Sequence, residues 1–116
     1  MKKERMIELA QGQLDAYNQR DIEKFCTYFH PEVQVWRLNG EPVKTCSDMA
    51  TFKKMYTARF DHNPRLHCEL RSRVVLNDSV LDEEWVTGVE GQEAPSHVTA
   101  IYGFRVDLIG YVWFTR

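Results

Sequence analysis

The sequence predicts an α+β domain, with helices packed on one face of an antiparallel sheet. Three observations carry that expectation. Helical apolar spacing fills the first half of the chain, and alternating strand patterns fill the second. No repeat, linker or low-complexity stretch interrupts the 116 residues. That length suits one domain, spanning 1–116, with a single substantial core.

The first helix is expected from about Lys3 to Asn18. Met6, Ala10, Leu14 and Tyr17 recur at helical spacing, with Ile7 and Leu9 widening the stripe. Asp21 reads as the N-cap of a short second helix carrying Ile22, Phe25, Cys26 and Phe29. His30-Pro31 should end it, because the residue before proline is pushed out of the helical region. Residues 33–37 alternate and read as a short strand. Asn39-Gly40 and Pro42 mark a turn. Ser47 reads as the cap of a third helix with Met49, Phe52, Tyr56 and Phe60 on one face. Four strands follow, at about 66–76, 79–89, 96–106 and 109–115. Asn77-Asp78 and Asp107-Leu108 are the expected hairpin turns, and Gly91 marks the middle connection.

Charge narrows the functional classes. The formal net charge is −2, and the basic residues are scattered. Neither nucleic acid nor an anionic membrane is an expected partner. No run approaches the roughly 18 apolar residues of a membrane span. The N-terminus starts basic but lacks the apolar block and cleavage site of a secretory signal. Cys26, Cys46 and Cys68 are odd in number and lack metal-type spacing, so free thiols in a reducing cytoplasm are expected. The four histidines show no zinc-binding arrangement. No metal or cofactor is expected.

The stretch 80–88 holds three consecutive acids inside a strand pattern. With Asn77-Asp78 as a two-residue loop, Arg73 falls opposite Asp82 and Arg71 opposite Glu84. Those pairs are expected on the solvent face, where opposite charges across a ladder are favourable. Leu66, Cys68, Leu70 and Val74 then share the helix-covered face, with Ser72 as its one polar member. On that phase Glu83 turns inward between Leu81 and Trp85, opposite Ser72. A desolvated carboxyl without a cation has a raised proton affinity and can serve as a general acid or base. A β-bulge would shift the phase and undo that placement.

The last hairpin suggests a pocket wall. With Asp107-Leu108 as its turn, Tyr102 pairs with Trp113 and Phe104 with Tyr111. Together with Trp85 these rings would line a cavity around the acid. Trp36, Ile101, Val112 and Phe114 would then project outward. That apolar face suggests a homodimer, or else a different protein partner contacting Trp36 and Phe114.

The chain also resembles a known family. The run Leu14-Asp-Ala-Tyr-Asn-Gln-Arg-Asp21-Ile-Glu-Lys-Phe25, followed by Tyr28-Phe-His-Pro-Glu-Val33, is similar to the opening of NTF2-like proteins. Ala100-Ile-Tyr-Gly-Phe-Arg105 and Val112-Trp-Phe114 resemble its SnoaL-like and steroid delta-isomerase-like branch. The resemblance implies a cystatin-like cone of three N-terminal helices on a curved antiparallel sheet, with a hydrophobic pocket and a sheet-mediated dimer. Ketosteroid isomerase, within that branch, uses a carboxylate base and an oxyanion hole of tyrosine and protonated aspartate. The positions matching its tyrosine, base and second aspartate are Gln13, Arg37 and Tyr102. An arginine cannot replace the base, so authentic steroid isomerisation does not carry over.

The expected function is therefore acid/base chemistry on a small apolar molecule, as an isomerase, cyclase, hydratase or hydrolase. Glu83 would move the proton, Tyr102 and Gln13 would polarise an oxygen, and Arg37 would offset developing charge or else pair with Glu83. Tyr17, Met55, Phe60, Trp85, Tyr111 and Trp113 would shape the substrate pocket, with Phe52 and Tyr56 beside them. The alternative is a non-catalytic ligand-binding or dimeric assembly module.

Overall fold

A computed structural model describes residues 1–115. Three helices, α1 (Lys3–Gln19), α2 (Ile22–Cys26) and α3 (Met49–His62), pack on one face of a curved six-stranded sheet. The strands are β1 (Phe29–Arg37), β2 (Val43–Cys46), β3 (His67–Leu76), β4 (Ser79–Thr87), β5 (Ser96–Arg105) and β6 (Leu108–Thr115). Their order is β2-β1-β6-β5-β4-β3. Every neighbouring pair is antiparallel except β1 and β6, which run parallel.

Local chemistry sets most boundaries. In α1 the buried stripe is Met6, Leu9, Ala10, Gln13, Leu14 and Ala16. The helix stops at Arg20, whose backbone is left-handed with φ 53°. Asn18 then clamps the helix end to β3, donating to the Cys68 carbonyl at 2.9 Å and accepting from the Cys68 N–H at 2.8 Å. Asp21 caps α2 by accepting from the Lys24 N–H at 3.1 Å. Asp48, not the expected Ser47, caps α3. Its carboxylate accepts from both the N–H and the hydroxyl of Thr51, at 2.7 and 3.1 Å. His30-Pro31 lies within β1, which starts four residues earlier than expected. A proline near a strand start removes no essential ladder donor. The short, mostly exposed β2 was not expected behind Pro42.

Aromatic rings join the helices to one end of the sheet. The Phe25 ring lies 4.9 Å from Phe29, 5.6 Å from Phe52 and 4.9 Å from Tyr56, centroid to centroid. Burial of such rings supplies much of the core's hydrophobic stabilisation.

The phase of the sheet differs from the expectation in two places. The β3–β4 hairpin turns at Asn77-Asp78, and Arg73 opposes Asp82, Val74 opposes Leu81, and Ser72 opposes Glu83, all as expected. A register shift then falls between Leu70 and Ser72, and Glu84 pairs with Leu70 instead of Arg71. Arg71 is the extra residue of a β-bulge, and one inserted residue reverses the side on which side chains fall. Leu66 and Cys68 do face the helices. Beyond the bulge, the inward set on β4 is Val80, Asp82, Glu84 and Val86. The expected inward residues Leu81, Glu83 and Trp85 lie on the outer side.

The β5–β6 turn is the second place. It uses Val106-Asp107, with φ 47° and 64°, one residue before the expected Asp107-Leu108. Phe104 consequently pairs with Ile109 instead of Tyr111. A register shift between Gly103 and Phe104 then leaves Gly110 as an extra residue, so that Tyr102 pairs with Val112 and Ile101 with Trp113, and the side chains of β6 beyond it change sides. Val112 is buried inside, and Phe114 packs against the core. Both had been expected on the outer face. Tyr111 and Trp113 occupy that face instead, stacked at 5.5 Å.

Candidate functional site

Between helices and sheet lies a cavity of about 270 Å³. Leu14, Phe25, Val35, Val86, Val98 and Val112 supply much of its apolar wall. Its polar lining includes Gln13 of α1, Arg37 of β1, Arg59 of α3, Cys68 of β3, Glu84 of β4 and Tyr102 of β5. These come from six elements, so the site exists only in the folded chain.

Glu84 is the lining's one carboxyl. The residue is 5 % exposed. Burial raises its proton affinity, the negative charge of Asp82 adds to the effect, and the pKa stands at about 7. A hydrogen bond from the Cys68 thiol and the positive charge of Arg73 oppose the rise. Two residues away on the same face, Asp82 is fully buried. Arg73 grips it with both arms of the guanidinium, at 2.7 and 2.9 Å, and donates a third bond to Gln11 of α1 at 3.0 Å. A bidentate arginine keeps a buried carboxylate satisfied. The two inward acids therefore differ: one is held by an arginine fork, and the other is left to exchange its proton near neutrality.

Tyr102 is buried at the cavity wall. Gln13 donates its amide to the phenol oxygen at 2.9 Å and to the Ala10 carbonyl at 3.0 Å. Among the described residues no acceptor takes the phenol's own O–H. Burial, reinforced by the charges of Glu84 and Asp82, pushes this phenol well above its ordinary pKa. It stays protonated and can donate to a ligand oxygen. Arg59, also in the lining, donates from Nε to the Tyr17 hydroxyl at 2.8 Å.

Glu83 has the contrary environment. Its side chain is 42 % exposed on the outer face. It accepts from the Ser72 hydroxyl at 2.8 Å and meets His97 Nε2 at 2.6 Å. Those two bonds, Ser72's the larger influence, hold its carboxyl below the usual glutamate range. The expected inward Glu83 is thus corrected: it does not reach the cavity, and Arg37 is not its partner. Trp85 stacks on His97 at 4.6 Å on that same outer face, and Tyr111 and Trp113 are there too. None of these three rings lines the cavity. Phe60 is buried in the core, its ring 5.3 Å from that of Tyr17, and also stays off the lining. Gln13, Tyr17, Arg37, Met55 and Tyr102 do line it.

Sequence reasoning missed Glu84, Arg59 and Cys68. Arg73 and Asp82 were paired correctly but assigned to solvent. The spacing of two between Asp82 and Glu84 did show that both acids share a face. With Arg71 set opposite Glu84, the missing fork was hidden until the bulge was seen.

An α+β layer closing over one acid-bearing cavity defines a cystatin-like, NTF2-like domain. The chain belongs to the SnoaL-like domain family, whose model matches residues 10–111. No protein with a curated description matches it in sequence. Solved structures share the fold. An uncharacterised cystatin-fold protein from Novosphingobium aromaticivorans is 24 % identical, with a TM-score of 0.83 over 95 % of this chain and 97 % of that one. A protein assigned as a polyketide cyclase from Sinorhizobium meliloti is 16 % identical, with a TM-score of 0.77 over 92 % and 93 %. A protein assigned as a ketosteroid isomerase from Kribbella flavida is 14 % identical, with a TM-score of 0.76 over 97 % and 77 %.

Proposed function

We propose that this protein is a small-molecule acid/base enzyme, with Glu84 as the group that moves the proton. The observation that supports it is a buried, inward carboxyl poised near pH 7, in one cavity with a phenol free to donate. Ionised Glu84 would take a proton from a carbon beside a ligand carbonyl. Tyr102, held by Gln13, would donate a hydrogen bond to that carbonyl oxygen as it gains enolate charge. Returning the proton elsewhere on the ligand isomerises it; attack by the enolate on a second carbonyl closes a ring. This differs from ketosteroid isomerase chemistry, since Gln13, Arg37 and Tyr102 stand where that enzyme has its working groups. The cytoplasm suits the chain, because the Cys68 thiol must stay reduced to bond Glu84.

The test is exchange of the α-protons of a fused-ring ketone, such as 2-tetralone, in D₂O. Wild-type protein should accelerate exchange, with the rate rising through a midpoint near pH 7. Glu84→Gln should lose about 10²–10⁴-fold of it. Ketone that binds but exchanges at the solvent rate would leave a non-catalytic binding module as the better reading.

The outer face supports a homodimer as part of the same proposal. The stacked pairs Trp85–His97 and Tyr111–Trp113 flank half-buried Ile101. Large rings and an isoleucine on one sheet face are an expensive surface to leave in water. A two-fold, sheet-to-sheet contact covers them with the fewest new parts. In this proposal Ile101, Tyr111 and Trp113 form the contact, and Val112 and Phe114, which belong to the interior, drop out of it. Sedimentation of wild type at micromolar concentration should give a dimer, and Ile101→Asp should give a monomer. A monomeric wild type would remove the idea.

A further inference from the structure

The cavity holds more positive charge than its chemistry as an acid/base site needs. Two arginines, Arg37 and Arg59, share its lining with the single carboxyl Glu84. Near neutral pH that carboxyl is partly protonated, so the lining carries a net positive charge. Neither guanidinium is neutralised by the protein. Arg59 is half-buried in α3, and its hydrogen bond goes to a neutral phenol, Tyr17. Among the described residues, Arg59 meets no carboxylate within ion-pair distance, and Arg37 has no hydrogen-bond or ion-pair partner. The charges acting on Glu84 are those of Asp82 and Arg73, so Glu84 does not serve as counter-ion to Arg59. Arg73 shows the contrast: where this fold buries a guanidinium for structure, it gives it a carboxylate at 2.7 Å.

A guanidinium has five N–H donors in a planar fork, and Arg59 spends one of them on Tyr17. The remaining edge matches a carboxylate in a two-point bond. Partial burial strengthens such a contact by removing competing water. The rest of the wall is apolar, and about 270 Å³ is small for a ligand pocket, below the usual lower bound of about 300 Å³.

We propose that the ligand is a compact, one- or two-ring carboxylic acid, its carboxylate bound by Arg59 and Arg37 and its apolar body in the cavity. Arg59 grips the anion within the wall, and the exposed Arg37 draws it to the mouth. The carboxylate then sits on the arginine side, leaving the ring carbons for Glu84 and Tyr102. This rests on the cavity being a ligand pocket, as proposed above, and specifies what enters it.

The test compares two probes of the same shape, 2-naphthoate and neutral 2-naphthamide, by calorimetry at pH 7. Wild-type protein should bind the naphthoate at least about tenfold more tightly, the worth of one charge-assisted hydrogen bond. Arg59→Gln and Arg37→Gln should each erode that preference, and Arg59→Lys should keep part of it. Arg37 is exposed, so its variant reports even where an Arg59 variant folds poorly. Equal affinity for both probes, or a preference untouched by both glutamine variants, would overturn the carboxylate assignment while leaving the pocket intact. Binding of neither probe would overturn the pocket as well.

Discussion

Glu83 and Glu84 are adjacent residues of β4, chemically identical, with opposite proton affinities. Glu83 faces solvent, and bonds from Ser72 and His97 lower its pKa. Glu84 faces the helices, and burial beside Asp82 lifts its pKa to about 7. A strand turns successive side chains to opposite faces, so 3.3 Å or so of backbone separates the two settings. The carboxyl group itself explains neither behaviour. What decides is the face: one carboxyl meets water, a serine hydroxyl and an imidazole, and the other is desolvated beside a second acid.

The largest test of that contrast lies beside Glu84. Arg73→Met removes the fork that holds buried Asp82 and leaves a carboxylate with no cation. Chemical denaturation should show a loss of about 3–5 kcal/mol at pH 7. A loss no larger than that of an exposed arginine would show the pair to be wet and the inner face less dry than described.

The smaller test compares the two glutamates directly. Glu84 has a folded pKa above its unfolded value, so the native state holds a proton that the unfolded chain releases. Wild-type stability should fall as pH rises from about 4.5 to about 7 and then level off. Glu84→Gln should flatten that descent and gain on the order of 2–3 kcal/mol above pH 8. For Glu83 the sign reverses. Its lowered pKa favours the native state above the carboxylate range and loses that contribution in acid. Exposure screens it, so Glu83→Gln should leave melting curves near wild type, with a small loss above the carboxylate range that vanishes at low pH. Indistinguishable pH profiles for the two variants would contradict the assigned faces.

The sequence was legible where periodicity and local chemistry agree. Met6, Ala10 and Leu14 marked the buried stripe of α1, Asp21 marked the cap of α2, and Asn77-Asp78 marked a turn that fixed three cross-strand pairs. The faces were not legible. On β4, the sets Leu81/Glu83/Trp85 and Val80/Asp82/Glu84/Val86 both mix apolar residues with acids, so alternation alone does not choose between them. On β3 the choice was sound through Leu70 and then reversed at Arg71, because nothing in the side-chain pattern announces an unpaired residue. At β5–β6 the left-handed turn falls on Val106, a β-branched residue that strongly disfavours positive φ. Asp107 was the natural place to begin a turn, but a turn moved by one residue keeps the faces; the unannounced extra residue Gly110 is what sent every ring on β6 to the other side. Gln13, Arg37 and Tyr102 line the cavity all the same. Gln13 and Arg37 came from aligned positions of a related fold, and Tyr102 from that alignment as well as from hairpin pairing.

The irregularity at Arg71 also bears on how such a domain changes over generations. Loss of a single codon there would close the ladder into uniform pairing and leave every other partner in place, with Leu70 still opposite Glu84 and Ser72 still opposite Glu83. The interior acid pair on β4 would keep its face, because that strand alternates without interruption. Lineages built on this sheet can thus gain or lose the extra residue of the edge strand without rewriting the interior.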